Sequence, residues 1–310
     1  MRLSGRFSLS LAAATLILSG CKEAPPLPKI DEQVVKIGHA APLTGTQAHI
    51  GKDNENGVRL AIEEANAAGI VIGGQKVRFQ LLSEDDQADP KNGTIVAHKL
   101  ADAEINGMIG HLNSGTTIPA SRVYHDAGIP QISPSATNPK YTQQGFKSAF
   151  RTMANDEQQG KMLGQFATKH LAAKRIAIID DRTAYGQGLA DEFEKSVKAN
   201  GGVIVAREFT TDKSTDFRAI LTAIKGTQPD VLFFGGMDPQ AGPLMRKVQE
   251  EGGAAATSTQ ALAVAWGNLK DSFAGTVAPN ITPGGVVKGL NADQIAAAIR
   301  HGHGRSTAFA

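Results

Sequence analysis

The sequence predicts an α/β protein in which parallel sheets are flanked by helices. Three observations predict it. Short apolar runs of strand type alternate with amphipathic helical stretches, and the connections between them are short. Several of these runs break into Gly, Ser, Thr or Asp just before a helix begins, as strand-to-helix corners do. The composition, 310 residues with 41% hydrophobic, 20% charged and 34 glycines, suits a globular chain of about two domains.

Val34 to His39 reads as the first strand. Val58, Ala61, Ile62 and Ala65 then recur at helical spacing until Ala67-Ala68-Gly69, where glycine ends the helix. Val77, Phe79 and Leu81 alternate in a second strand that stops at the acidic corner Glu84-Asp85-Asp86. Asp89-Pro90 has the N-cap and N1-proline arrangement of a helix start, with the helix running to about Ala103. The strand Met108 to His111 feeds a corner rich in hydroxyls, Gly110-His111-Leu112-Asn113-Ser114-Gly115-Thr116-Thr117, and a helix from about Ile118 ends at Gly128. A short strand, Pro130 to Ser133, feeds a second such corner, Ile132-Ser133-Pro134-Ser135-Ala136-Thr137-Asn138-Pro139.

After Phe150-Arg151-Thr152 the same grammar restarts. It gives a helix from Asp156 to His170, a strand from Arg175 to Asp180, a helix from Gln187 to Asn200 and a strand from Val203 to Phe209. Asp216 to Lys225 reads as a helix, Val231 to Phe234 as a strand and Pro243 to Glu250 as a helix. From residue 253 the pattern stops: Ala makes up 14 of the last 57 residues, and no strand-turn-helix unit can be traced. Residues 253–310 are therefore expected to be an atypical tail from a frameshift or premature end, with a divergent folded segment as the alternative.

The N-terminus reads as processing signal rather than fold. Arg2 and Arg6 precede an apolar run from Phe7 to Leu18 that is too short to span a bilayer, so residues 1–20 are expected to be a signal peptide. Leu18-Ser19-Gly20-Cys21 resembles the lipobox of bacterial lipoproteins, which implies cleavage before Cys21 and a lipid on it; an incidental cysteine in an ordinary signal or anchor is the alternative. Pro25, Pro26 and Pro28 make residues 21–33 a stiff tether. Cys21 is also the sole cysteine, so no intramolecular disulfide can form.

The hydroxyl corners carry the chemistry. A strand that breaks into small polar residues at a helix start leaves free backbone N–H groups and a positive dipole end facing whatever sits there. That is a cradle for a carboxylate or phosphate. No His, Cys or acidic cluster adjoins either corner, which points to holding a small anion or zwitterion rather than transforming it. The formal charge of +2 is spread along the chain and aromatic residues are 5%, so neither the basic stripe nor the stacking platforms of a nucleic-acid binder are present.

An enzyme is not expected. The sequence lacks G-x-S-x-G and H-E-x-x-H, and Gly186-Gln187-Gly188 has Asp191 where the third glycine of a dinucleotide fingerprint would stand. The eight histidines are scattered, so neither a metal ligand set nor a cofactor is expected. Asp85-Asp86 could do acid/base work, but a solvated loop is the plainer reading.

GHLNSGTT, SPSATNP and IAIIDDRTAYGQGLA together resemble the periplasmic leucine/isoleucine/valine-binding proteins of ABC importers, over about Val34 to Glu250. The resemblance implies a two-lobed periplasmic binding protein type I fold, each lobe a parallel sheet flanked by helices, with residues 34–152 as the first lobe and 153–252 as an incomplete second lobe. It implies an amino acid held between the lobes, and a closed form that docks on the membrane permease of an ABC transporter. Ser114 and the N–H groups around Ser114 to Thr116 would hold the ligand carboxylate. Thr137 would serve both carboxylate and ammonium, and Ser135 would offer its carbonyl to the ammonium. Tyr185 would close over the ligand from the second lobe, and Met237, with Asp238, would line the second-lobe wall; His49 and Ile50 stand where some relatives carry an aromatic wall. Some relatives also carry a disulfide between the positions of Ala88 and Asn113, and both cysteines are absent here together.

Simpler roles remain open for each residue: helix caps for Ser114 and Thr137, packing against the following helix for Tyr185, a turn for Met237. Relatives supply an acidic second-lobe residue to the ammonium where this chain has alanines, Ser258 and Thr259. The alternatives for the whole chain are a receptor or sensor of the same fold for amides, urea or another small polar solute, or a truncated product without function.

Overall fold

The computed structural model describes residues 32–251. The expectations about Cys21, the signal peptide and residues 253–310 fall outside the described residues, as do Ser258 and Thr259. The first sheet is built from β1 (Gln33–Ala41), β2 (Val71–Ile72), β3 (Gln75–Asp85), β4 (Gly107–Gly110), β5 (Gln131–Ser133) and β6 (Ala149–Arg151), in the order β2-β3-β1-β4-β5-β6. All pairs are parallel except the β2–β3 hairpin. Its helices are α1 (Ala48–Ala67), α2 (Pro90–Asp102), α3 (Ser114–Asp126) and the short α4 (Lys140–Gln143). Asp89 caps α2 by accepting from the N–H groups of Lys91 and Asn92, with Pro90 at the first position, as its sequence predicts. Val96, Ala97 and Leu100 of α2 and Ala120 and Tyr124 of α3 bury against Ala40 and Met108 on one sheet face.

The second sheet consists of β7 (Arg175–Asp180), β8 (Val203–Phe209) and β9 (Val231–Gly235), all parallel, in the order β8-β7-β9. Its helices are α5 (Asp156–Gln165), α6 (Ala184–Ala199), α7 (Arg218–Gly226) and α8 (Asp238–Glu251), with a π-helical turn at Phe166–His170 extending α5. The central strand β7 is apolar on both faces, as a parallel strand covered on both sides must be. Ile176 and Ile178 pack toward α5 and α6, while Ala177 and Ile179 pack toward α7 and α8.

Close packing of α5 on α6 fixes where the start of α5 stands. Gly160 and Gly164 lie one turn apart on α5, against α6. A Cβ on Gly160 would stand 2.6 Å from the backbone nitrogen of Phe193, and one on Gly164 would stand 2.5 Å from Cβ of Ser196. Two missing side chains thus let the helix backbones approach, and Ser196 Oγ donates to the carbonyl of Lys161 at 2.8 Å across the contact.

Several boundaries differ from expectation, among them the start of α8 at Asp238 rather than Pro243. Helix α1 begins some ten residues before its apolar periodicity, because its first turns are held by polar contacts: Glu55, buried, accepts from Lys52 and Arg59 at one-turn spacing. Helix α3 begins at Ser114 rather than Ile118, and α6 at Ala184 rather than Gln187. In both, polar and glycine residues that read as a turn form the first helical turn, where they suit the unsatisfied N–H groups.

Candidate functional site

The first hydroxyl corner is built between β4 and α3. The fully buried His111 imidazole is hydrogen-bonded through Nδ1 to Asp86 Oδ2 at 2.8 Å and through Nε2 to the Tyr124 hydroxyl at 3.1 Å, which pins the chain as it leaves the strand. Thr117 Oγ1 donates to the carbonyl of Asn113 at 2.8 Å. Asn113 occupies the N-cap position but makes no capping hydrogen bond; its amide donates instead to Gln47 Oε1 at 2.8 Å. The start of α3 is therefore left without the side-chain acceptor that helix starts ordinarily carry.

The second corner, between β5 and α4, is tied to the first. Ser114 Oγ accepts from the backbone N–H of Asn138 at 3.2 Å, and Ser135 Oγ donates to the carbonyl of Leu112 at 2.9 Å. Arg151 at the end of β6 holds the corner's backbone from behind, its Nε donating to the carbonyl of Ala136 and its Nη2 to that of Asn138, both at 2.7 Å. Neither hydroxyl caps a helix in the ordinary way. Ser114 is the first residue of α3, and the buried Thr137 Oγ1 caps no helix and stands beside the Asp156 carboxylate.

The second sheet meets these corners through α5 and α6. Asn138 Nδ2 donates to the carbonyl of Ala184 at 2.6 Å, just before Tyr185. The N–H of Asp156, at the start of α5, donates to the carbonyl of Thr137 at 2.9 Å. Asp156 is 0% exposed, and neither of its carboxylate oxygens has a hydrogen-bond partner. Burial pushes its pKa up to about 6, opposed by the nearby Thr137 hydroxyl and the Arg151 charge. Tyr185 is 8% exposed with its hydroxyl unpartnered, and burial followed by the charges of Asp156 and Asp181 raises its pKa well above the ordinary phenol value. Met237, half-buried, packs on the cluster that contains Tyr185. Its neighbour Asp238 reaches the other sheet, where Oδ2 meets His49 Nε2 of α1 at 2.8 Å.

The structure thus brings Ser114, Ser135 and Thr137 into one double corner, and sets Tyr185 beside it through Asn138 and Asp156. Met237 stands in the wall behind Tyr185. Asp156 escaped the sequence reading because Asn155-Asp156-Glu157 has the look of an N-cap and a solvated acidic first turn. Asn155 does cap α5, accepting from Gln158 N, but Asp156 points inward. Among the described residues, no group of three His, Cys, Asp or Glu is placed to hold a metal ion.

Two sheets of parallel strands, with polar corners facing each other at the carboxyl ends, are the architecture of a hinged solute receptor, and comparison with known proteins agrees. A family model described as periplasmic binding protein matches residues 34–300. The chain belongs to the periplasmic binding protein family. The match reaches past Glu250, where the alternating α/β pattern gives out. Leu/Ile/Val-binding protein homolog 1 of Brucella abortus is 43% identical to this binding protein over 218 residues, 70% of this chain and 58% of the relative. The branched-chain amino acid transporter substrate-binding protein LivJ of Streptococcus pneumoniae, solved with isoleucine, superposes with a TM-score of 0.63 at 30% identity, covering 71% of this chain and 62% of that one. A solute-binding protein of Rhodopseudomonas palustris, solved with 3,4-dihydroxybenzoic acid, gives 0.61 at 26% identity over 71% of this chain and 59% of that one. This binding protein spans under two thirds of the length of each. Its fold is that of a type I periplasmic binding protein, two parallel sheets flanked by helices.

Proposed function

We propose that this chain is the extracytoplasmic solute-binding receptor of an ABC importer for branched-chain or related amino acids, taking the zwitterion between its two lobes, 34–152 and 153–252. The observation that carries the reading is the double corner: an uncapped start of α3, with Ser114 tied to Asn138, beside the buried hydroxyl of Thr137. In this reading the N–H groups at the start of α3 and Ser114 hold the carboxylate, Thr137 serves both ends, Ser135 offers its carbonyl, and Tyr185 and Met237 close the second-lobe side. Domain closure then creates the surface that the membrane permease reads. The role is binding without catalysis. The naming of relatives for Leu, Ile and Val binding supports the ligand class.

Isothermal calorimetry with leucine, isoleucine, valine and 3-methylbutylamine, the decarboxylated analogue of leucine, tests it. Binding of the amino acids and none of the amine is expected; equal binding of the amine removes the carboxylate cradle. A carboxylate without an ammonium is the second reading, favoured by the dihydroxybenzoate of one structural neighbour. Lipidation of Cys21 would hold the receptor at the membrane, and Cys21→Ser should then move it to the soluble fraction. A wild-type protein wholly soluble with an unmodified thiol would exclude the anchor.

A further inference from the structure

Three polar side chains at the root of the first corner, His111, Asp86 and Tyr124, are each 0% exposed and take no part in the cradle itself. They come from the exit of β4, the exit of β3 and the body of α3. Their hydrogen bonds fix where the protons stand. Asp86 accepts at both oxygens, from the N–H of Ala88 at 3.0 Å and from His111 Nδ1 at 2.8 Å, so it is a carboxylate and Nδ1 carries the proton of the ring. Burial, followed by the Asp86 charge, keeps the Tyr124 phenol protonated, and His111 Nε2 at 3.1 Å is the hydroxyl's hydrogen-bond partner among the described residues. Tyr124 therefore donates and Nε2 accepts. The imidazole is neutral, in its Nδ1–H form.

The backbone of the same residue joins the two corners. Ser133 Oγ of β5 donates to the carbonyl of His111 at 2.8 Å and accepts from the N–H of Ala136 at 2.9 Å, which runs one chain of hydrogen bonds from the second corner to the first. Thr117 Oγ1 stands 3.1 Å from that carbonyl and shares its proton between it and the carbonyl of Asn113. Gln131 Nε2 adds a parallel tie from β5 to the carbonyl of Gly110 at 2.9 Å. A ring held from both sides cannot turn without breaking a buried hydrogen bond, and stripping the Asp86 charge of its partner costs more still. The carbonyl that joins the corners is thereby aimed by the side chain of its own residue. N–H groups hold an anion only where they converge, so that aim matters to the cradle.

We propose that His111 is the positioning residue of the cradle, setting the start of α3 and the second corner in the register a carboxylate needs while touching no ligand itself. This rests on the binding reading above. Asp86 and Tyr124 act on the ligand only through His111. A purely structural His111 would change stability and leave the affinity of the folded protein alone.

The test has two arms on the full chain. Nitrogen NMR of the histidine side chains in the wild type, with the His111 signal assigned by its loss in His111→Phe or its shift in Tyr124→Phe, is expected to show a neutral ring protonated at Nδ1. A His111 ring protonated at Nε2 overturns the proposal. In the second arm, calorimetry with leucine is set beside urea unfolding for the wild type, Tyr124→Phe and His111→Phe. Tyr124→Phe keeps the ring volume and should weaken leucine by roughly 3- to 10-fold, the scale of one neutral hydrogen bond. His111→Phe also releases Asp86, and should weaken leucine by roughly 10-fold or more, the scale of a hydrogen bond to a charged group. Unchanged leucine affinity in the folded variants, with only the unfolding midpoint lowered, makes the network scaffold and overturns the proposal while the cradle stands. If His111→Phe does not fold, Tyr124→Phe alone decides. Failure of the wild type to bind leucine removes the cradle, and the positioning role with it.

Discussion

Asp156 and Asp180 are both buried carboxylates close to the carboxyl ends of strands, and the protein treats them in opposite ways. Asp180, at the end of β7, accepts from Arg207 Nη2 at 2.8 Å and Nε at 3.2 Å, and from the N–H of Arg182 at 3.0 Å. Arg207 in turn reaches Asp191 and Glu194 of α6, so the charge is absorbed into a network that ties β7, β8 and α6 together. Asp156 has no such partner on either oxygen. A carboxylate needed by the scaffold is neutralised within the chain, because an unpaired buried charge costs several kcal/mol. One left without a cation at the meeting of the two sheets costs stability.

The scaffold half of this comparison breaks most visibly at Arg207. Arg207→Ala removes the nearer of the two cations beside the buried Asp180, and should lower the unfolding free energy by about 3 kcal/mol, the lower end for a broken buried pair because Arg207 is a quarter exposed. Urea unfolding reads the loss directly, and a change under about 1 kcal/mol would mean that Arg182 and solvent already satisfy Asp180.

Thr137→Ala should act on binding instead. Its hydroxyl makes no hydrogen bond to the backbone and stands beside the Asp156 carboxylate, so the unfolding midpoint should move little. Leucine affinity should fall by about 1.5 to 3 kcal/mol, the range for hydrogen bonds to charged groups. Equal affinity in the variant would take Thr137 out of the site.

The third effect has the opposite sign. The folded pKa of Asp156, about 6, lies above its ordinary unfolded value, so between the two the native state binds more protons than the unfolded chain. The stability this contributes is full below the unfolded pKa and is lost as pH rises through about 6. Asp156→Asn removes a charge that is buried at neutral pH. It should therefore stabilise the empty protein at pH 7 by something on the order of 2 kcal/mol, with the gain vanishing toward pH 4. Thermal melts of both proteins across that range check it. A variant more stable at pH 7 is the signature of a carboxylate held at a cost in stability; a variant destabilised at pH 7 would place Asp156 with Asp180 as scaffold.

The contrast also explains what the sequence could reveal. Strands such as Val203–Phe209 and the Asp89-Pro90 helix start are written in local pattern, apolar alternation and a cap, and their positions follow from it. The hydroxyl corners are likewise visible, because glycine and hydroxyl residues interrupt an apolar run. The first turns of α1, α3 and α6 are not, since they are built from polar residues and glycine, and periodicity registers only apolar burial. Asp156 is the same problem in one residue. Its neighbours Asn155 and Glu157 look like a solvated helix start, and only the approach of α6 through Gly160 and Gly164 turns that start into the interior. The pair of His49 and Asp238, separated by 189 residues, carries no local signal at all.

That pair supplies the smallest effect and the finest distinction. His49 Nε2 meets Asp238 Oδ2 at 2.8 Å, joining α1 beside the first sheet to the start of α8 beside the second, but the histidine side chain is 54% exposed. Exposed pairs contribute about 0 to 1 kcal/mol and are screened by salt. His49→Ala should therefore shift the unfolding midpoint little and weaken leucine by no more than about fivefold, since the pair forms only when the lobes approach. The loss should shrink at high salt, and it should appear in leucine dissociation rather than association, because a contact made on closure is broken on opening. Stopped-flow dissociation at two salt concentrations separates these outcomes. A salt-independent loss well beyond fivefold would mean that His49 touches the ligand, making it part of the binding wall and not a clasp between the two sheets.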